Sequence, residues 1–178
     1  MNLPNKLTIL RIILVPVYLL LLWISSGNPL LSVAALIVFI VAALTDLIDG
    51  QIARKHNMVT NFGKFMDPIA DKLLVICPLI IMVGMGRFPA WMCAVIVARE
   101  LAVSGFRLVA ALANRVIAAD KLGKYKTTFQ IGCVIALMLI VNRPWSYIGD
   151  VFVWTTVILT AWSGIECIWK NKDLLSDM

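Results

Sequence analysis

Four aspartates carry the first chemical signal in this chain. Asp46 and Asp49 stand three residues apart and Asp67 and Asp71 four apart, so on helices each pair shares a face. Long apolar runs reach both pairs. An ionised side chain costs about 2.5–3.5 kcal/mol at the centre of a membrane helix and less near its ends, and four gathered carboxylates repel one another. Such a set persists where cations neutralise it, and four oxygen-bearing side chains suit one or two hard divalent ions. Gly50 lies one turn past Asp46 and Ala53 one turn past Asp49, which lets a bulky group approach the backbone beside the acids. Arg54 adds a fixed guanidinium fork for a phosphate oxygen. Together these residues describe a metal-assisted diphosphate site. The competing reading is a solvated helix end, or salt bridges to Arg54, Lys55 and Lys64. The apolar residues interleaved between the acids weigh against it. His56, the one histidine of the chain, reads as a solvated or lipid-headgroup contact rather than a metal ligand, and Gly63 alone would mark only a turn.

A second polar set lies further on. Arg99, Glu100 and Arg107 fall inside one apolar run, and Gly123-Lys124-Tyr125-Lys126-Thr127 opens the next. Basic residues within a membrane helix are functional candidates. Arg99, Arg107, Lys124 and Lys126, converging from two helices, suit an anionic acceptor such as glycerol 3-phosphate. The alternative is internal pairing, with Glu100 neutralising one arginine while the lysines snorkel to lipid phosphates.

These residues need elements to hold them, and the composition says which. Of 178 residues 61% are hydrophobic and the mean hydropathy is +0.93, against roughly 45–50% apolar in a soluble domain. The excess falls into six runs, about 8–26, 30–53, 68–86, 89–112, 127–142 and 148–169, each near the ~20 residues that span a bilayer. Helices satisfy their own backbone hydrogen bonds in lipid. The expected fold is therefore all-α and polytopic, with six transmembrane helices in a single membrane-embedded domain over 1–178. The first run is read as a retained helix, because no small-residue cleavage site follows it. Asn5 is expected to cap it.

The net charge of +6 does not point to nucleic acid, because the basic residues alternate in side. Lys6, Arg11, Arg54, Lys55, Lys64, Arg115, Lys121, Lys124, Lys126, Lys170 and Lys172 fall on one side, and only Arg87 and Arg143 on the other. The positive-inside rule makes the first side, and both termini, cytoplasmic. The polar stretches 54–66 and 113–126 share that side, which places the active site at the cytoplasmic face. Cys77, Cys93, Cys133 and Cys167 stand singly in apolar runs and read as small buried hydrophobes. Trp23, Trp91, Trp145 and Trp169 lie near run ends, as an interfacial belt requires.

Asp46, Asp49, Gly50, Ala53, Arg54, Gly63, Asp67 and Asp71 fit the pattern D-x2-D-G-x2-A-R-x8-G-x3-D-x3-D at every fixed position. In this the chain resembles the CDP-alcohol phosphotransferase family, whose members also have six transmembrane helices. The resemblance implies displacement of CMP from a CDP-linked lipid by a hydroxyl, assisted by one or two Mg²⁺ or Mn²⁺ ions. It implies metal binding by Asp46, Asp49, Asp67 and Asp71, with Asp71 also the general base. It places Gly50, Ala53, Arg54 and Gly63 at the CDP-diacylglycerol site. Pro4-Asn5-Lys6-Leu7-Thr8 and Arg11 are similar to the family's nucleotide-holding opening, which adds Asn5 and Thr8, and Thr60 corresponds to a small hydroxyl residue near the lipid. Ala98-Arg99-Glu100, Val116-Ile117-Ala118-Ala119 and Gly123-Lys124-Tyr125-Lys126-Thr127-Thr128-Phe129-Gln130 resemble the branch whose acceptor is glycerol 3-phosphate. A bacterial inner membrane and a homodimer are the expected setting.

Inositol phosphate or serine as acceptor would use the same chemistry, and only the second basic set argues against them. A cation transporter with a four-aspartate site is a different class. No matching acidic site stands in a second half of the chain, as repeat-built transporters require. A structural subunit would leave the four acids without a purpose.

Overall fold

Apolar runs without polar relief become helices, and the punctuation between them becomes caps. The computed structural model describes residues 3–25, 28–55, 61–112, 121–139 and 147–172. Side chains within these are described except at 3–6, 46–55, 61–65, 112, 121–122, 124 and 148. Among the described residues there are six helices and no strand: α1 (Leu3–Ile24), α2 (Pro29–Lys55), α3 (Asn61–Gly84), α4 (Ala90–Leu112), α5 (Lys121–Leu139) and α6 (Tyr147–Lys170).

The caps follow from residue type. Asn28 Oδ1 accepts the Leu30 N–H at 3.0 Å, with Pro29 at the first helical position, where a missing N–H costs nothing. The end of α3 closes through Gly86, whose φ of 70° is the left-handed geometry that favours glycine. There Arg87 N–H reaches the Met82 carbonyl at 2.8 Å and Gly86 N–H the Val83 carbonyl at 3.0 Å, a Schellman closure.

Two boundaries and one cap differ from the sequence expectation. α3 begins at Asn61 and α5 at Lys121, each about six residues earlier than its apolar run, because helical backbone continues into polar sequence that hydropathy does not register. Asn5 lies inside the first turns of α1, not at its cap, since the helix already runs from Leu3. Pro4 fits that early position with its preset φ.

Tyr18, Phe39, Leu79, Ile96, Val134 and Val153, one from each helix, are fully buried in a shared core. The helices joined by short connections pack together, α1 on α2, α3 on α4 and α5 on α6, and α1 also packs on α3, α4 on α6 and α2 on α5. Opposite the core, α1 exposes Leu10, Ile13, Val17, Leu20 and Ile24, and α6 exposes Val151, Trp154, Ile158, Trp162 and Ile165. A water-facing helix would place polar residues on that stripe. Leu7–Ile24 and Gly149–Lys170 are long and apolar enough to cross a membrane. Trp23, Trp91 and Trp169 stand exposed at helix ends, while Trp145 lies outside the described residues. Cys93, Cys133 and Cys167 are buried and Cys77 partly so.

One tie holds α1 to α3 for a reason legible in the covalent chemistry. Pro78 has no N–H, so the Leu74 carbonyl one turn earlier loses its helical donor. The buried Tyr18 hydroxyl donates to that carbonyl at 2.9 Å. Leaving a buried acceptor unsatisfied costs about 1–3 kcal/mol. Tyr18→Phe should therefore lower stability in detergent by about that amount. In a Pro78→Ala background, where the helix supplies its own donor, the cost should largely vanish. Equal losses in both backgrounds would show that packing, not the hydroxyl, matters at Tyr18.

Candidate active site

α3 presents two of the four acids to α1. Asp67 and Asp71 are the seventh and eleventh residues of α3, one turn apart on one face. The Thr8 hydroxyl donates to Asp67 Oδ1 at 2.7 Å, and Arg11 Nη1 donates to Asp71 Oδ1 at 2.9 Å. With Tyr18 and Leu74 these make three rungs whose numbers rise together along both helices, so α1 and α3 run in the same direction.

Thr8 and Arg11 are buried, at 2% and 0% exposure, whereas the Asp71 side chain keeps 49%. The α1 side of the ladder is thus dry, and Asp71 remains accessible from outside. A guanidinium taken out of water needs its partner, and removing one member of a buried pair costs about 3–5 kcal/mol. The exposure of Asp71 puts this pair below that range.

Asp46, Asp49, Gly50, Ala53 and Arg54 all lie on the last turns of α2, which touches α3. Their side chains lie outside the described residues, so the expected opposition of the two acid pairs falls there as well. Gly63 is in the first turn of α3 and Asn5 in α1; the side chain of Asn5 is outside the described residues, and Thr60 and His56 lie outside them altogether.

The second polar set forms a buried network across three helices. Glu100 is 8% exposed and Lys126 6%. Glu100 Oε1 accepts from Lys126 Nζ, from Arg99 Nη1 at 3.2 Å and from Gln130 Nε2 at 3.4 Å. Gln130 also reaches Thr160 Oγ1 at 3.4 Å, and Arg99 Nη2 donates to Ser163 Oγ at 2.9 Å. Gly164 makes room for Arg99, because a Cβ there would stand 2.7 Å from Arg99 Cγ. Arg99 and Lys126 are therefore brought together, both on Glu100, in the internal pairing that sequence offered as the alternative. Arg107 is two turns further along α4 and exposed. Lys124 is on α5, with its side chain outside the described residues. α5, which carries Lys126 and Gln130, also touches α3.

Sequence reading did not pair Arg11 with Asp71 or find Ser163, Thr160 and Gly164. Signals existed for both. Arg11 is a charge inside an apolar run, one helical turn from Thr8, which signals a polar partner on another helix without saying which. Thr160, Ser163 and Gly164 make a polar and small stripe of helical spacing in the middle of the largely apolar α6.

The chain is similar over nearly its whole length to curated proteins. It is 46% identical to the CDP-diacylglycerol–glycerol-3-phosphate 3-phosphatidyltransferase of Bacillus subtilis, covering 98% of this chain and 97% of that protein. It is 40% identical to the protein of the same name from Rickettsia typhi, over 92% of this chain and 93% of the relative. The Shigella flexneri protein of that name is 35% identical over 93% and 92%. The family model of CDP-alcohol phosphatidyltransferases matches residues 1–162, a span that takes in the aspartate pattern, the α1–α3 ladder and Arg99, Glu100, Lys126 and Gln130 of the buried network. With that match and those relatives, the chain belongs to the CDP-alcohol phosphatidyltransferase family.

Proposed function

We propose that this chain transfers the phosphatidyl group of CDP-diacylglycerol to sn-glycerol 3-phosphate, giving phosphatidylglycerophosphate and CMP. The observation that carries this is the end-to-end similarity, at 35–46% identity, to proteins named for that reaction in three genera. Purified protein supplied with CDP-diacylglycerol should release CMP with glycerol 3-phosphate and far less with glycerol, inositol phosphate or serine. Equal turnover with another of these alcohols would overturn the acceptor while leaving the phosphatidyl transfer. Cation flux without CMP release would replace both.

The setting is a six-span bundle forming one domain over 1–178, with both termini and the site at the cytoplasmic face of a bacterial inner membrane. The outward apolar stripes and the one-sided basic residues support it. The parallel course of α1 and α3, with α2 between them, suits alternate crossings.

The donor chemistry fits a hard divalent ion: Asp67 and Asp71 offer carboxylate oxygens one turn apart, with Asp71 open to the outside. Asp46, Asp49, Asp67 and Asp71 would hold one or two Mg²⁺ or Mn²⁺ ions, which when bound neutralise the diphosphate and the departing CMP. Thr8 orients Asp67, and Arg11 orients Asp71. Arg54, Gly50, Ala53 and Gly63 receive the CDP-lipid, with Asn5, Thr8 and Thr60 beside it. Asp71 takes the proton of the acceptor hydroxyl as its oxygen attacks the diacylglycerol-bearing phosphorus; the bond from that phosphorus to the CMP oxygen breaks. A base must come within hydrogen-bond reach of that proton, and the half-exposed Asp71 is open to an entering alcohol.

Arg99, Arg107, Lys124 and Lys126 hold the acceptor phosphate. A hydrogen bond to an ionised group is worth about 1.5–3 kcal/mol, so Arg107→Ala or Lys124→Ala should raise the KM for glycerol 3-phosphate about 10–100-fold. The KM for CDP-diacylglycerol should change little. Parallel losses for both substrates would indicate a folding defect, and unchanged constants would place the acceptor elsewhere.

A further inference from the structure

Within that acceptor reading, on which this step rests, Glu100 poses an electrostatic puzzle. Its carboxylate lies between two cations of a site meant for an anion, and it lowers their combined charge from two to one. For attraction alone it is counterproductive. Geometry gives it a use. Arg99 and Lys126 are long side chains whose ordering costs rotamer entropy, and they come from different helices, α4 and α5. One oxygen of Glu100 accepts from both, and Gln130 closes on the same oxygen. The outer end of Arg99 is fixed on α6 by Ser163, in the space that Gly164 leaves open. Gln130, Thr160 and Ser163, at 2%, 0% and 5% exposure, are as enclosed as the charges they hold.

We propose that Glu100 is a positioning residue for acceptor recognition: it fixes Arg99 and Lys126 at one separation and orientation, so that glycerol 3-phosphate meets a phosphate site already ordered. Pre-ordering raises affinity by removing the entropy that the ligand would otherwise have to supply. The group recognised is a phosphomonoester on a small alcohol.

The sign of one substitution separates this from a charge-balancing role. Glu100→Gln removes the negative charge, and if Glu100 only offset its neighbours, anion affinity should rise. Positioning requires the opposite: the KM for glycerol 3-phosphate increases about 10-fold or more, and the KM for CDP-diacylglycerol stays within about twofold. An unchanged or lower acceptor KM in Glu100→Gln overturns the proposal. Two further variants serve if that protein does not fold. Glu100→Asp keeps the charge and shortens the reach, and Gly164→Ala displaces Arg99 with every charge retained. Each should raise the acceptor KM selectively, and normal constants in both would overturn the proposal. Wild-type protein assayed alongside keeps the two readings apart. No turnover of glycerol 3-phosphate by wild type defeats the acceptor reading and this inference with it, whereas normal wild-type turnover with unshifted variants defeats this inference alone.

Discussion

Asp67→Asn should reduce CMP release to background while the protein remains folded, and Asp46→Asn should do the same. In the proposed site each substitution removes one anionic oxygen donor from the set that neutralises a dication, and a neutral amide is a far poorer ligand for a hard ion. Asp67→Asn is the cleaner of the two structurally, because the amide oxygen can still accept the 2.7 Å hydrogen bond from Thr8. Stability should therefore change little, and a thermal midpoint in detergent near that of wild type is the control. Raising Mg²⁺ or Mn²⁺ should recover part of the activity, since a weakened site still fills at high concentration. Substantial turnover in both variants at ordinary metal concentration would remove these acids from the reaction.

Asp71→Asn should cost about 10²–10⁴-fold in kcat, the usual contribution of a positioned base, with any share in metal binding adding to it. Affinity for CDP-diacylglycerol should be largely kept, because the proton is taken from the other substrate. Arg11 can still donate to the asparagine oxygen, so the α1–α3 ladder survives. Measuring kcat separately from binding of the CDP-lipid decides the role. Parallel falls in both would make Asp71 chiefly a metal ligand.

The sequence made much of this legible, and for identifiable reasons. Charged residues in apolar runs are costly, so Asp67, Asp71, Arg99 and Lys126 stood out at once. Helical spacing alone put Asp67 and Asp71 on one face, and the structure has both accepting bonds from α1. Hydropathy located six helices but not their polar ends, which is why α3 starts at Asn61 and not at Pro68. Partners across helices were the illegible part. Nothing in the spacing of Arg11 says which of four carboxylates it meets, because that depends on how α1 packs on α3. The same holds for Glu100: its cations were seen, but their sharing of one carboxylate oxygen is a tertiary fact.

The α1–α3 ladder also has a consequence for biogenesis. Its rungs join residues 56 to 60 positions apart, and at roughly 5–20 residues per second a ribosome needs roughly 3–12 s to make that much chain. Throughout that interval the carboxylate for Arg11 has not been synthesised. Until Asp71 arrives, Arg11 lacks the carboxylate that it meets in the finished fold, and α1 cannot take its final rotation against α3. Docking of α1 on α3 is thus timed by the synthesis of α3, and a nascent chain stalled before Asp67 would leave α1 without the partners of all three rungs.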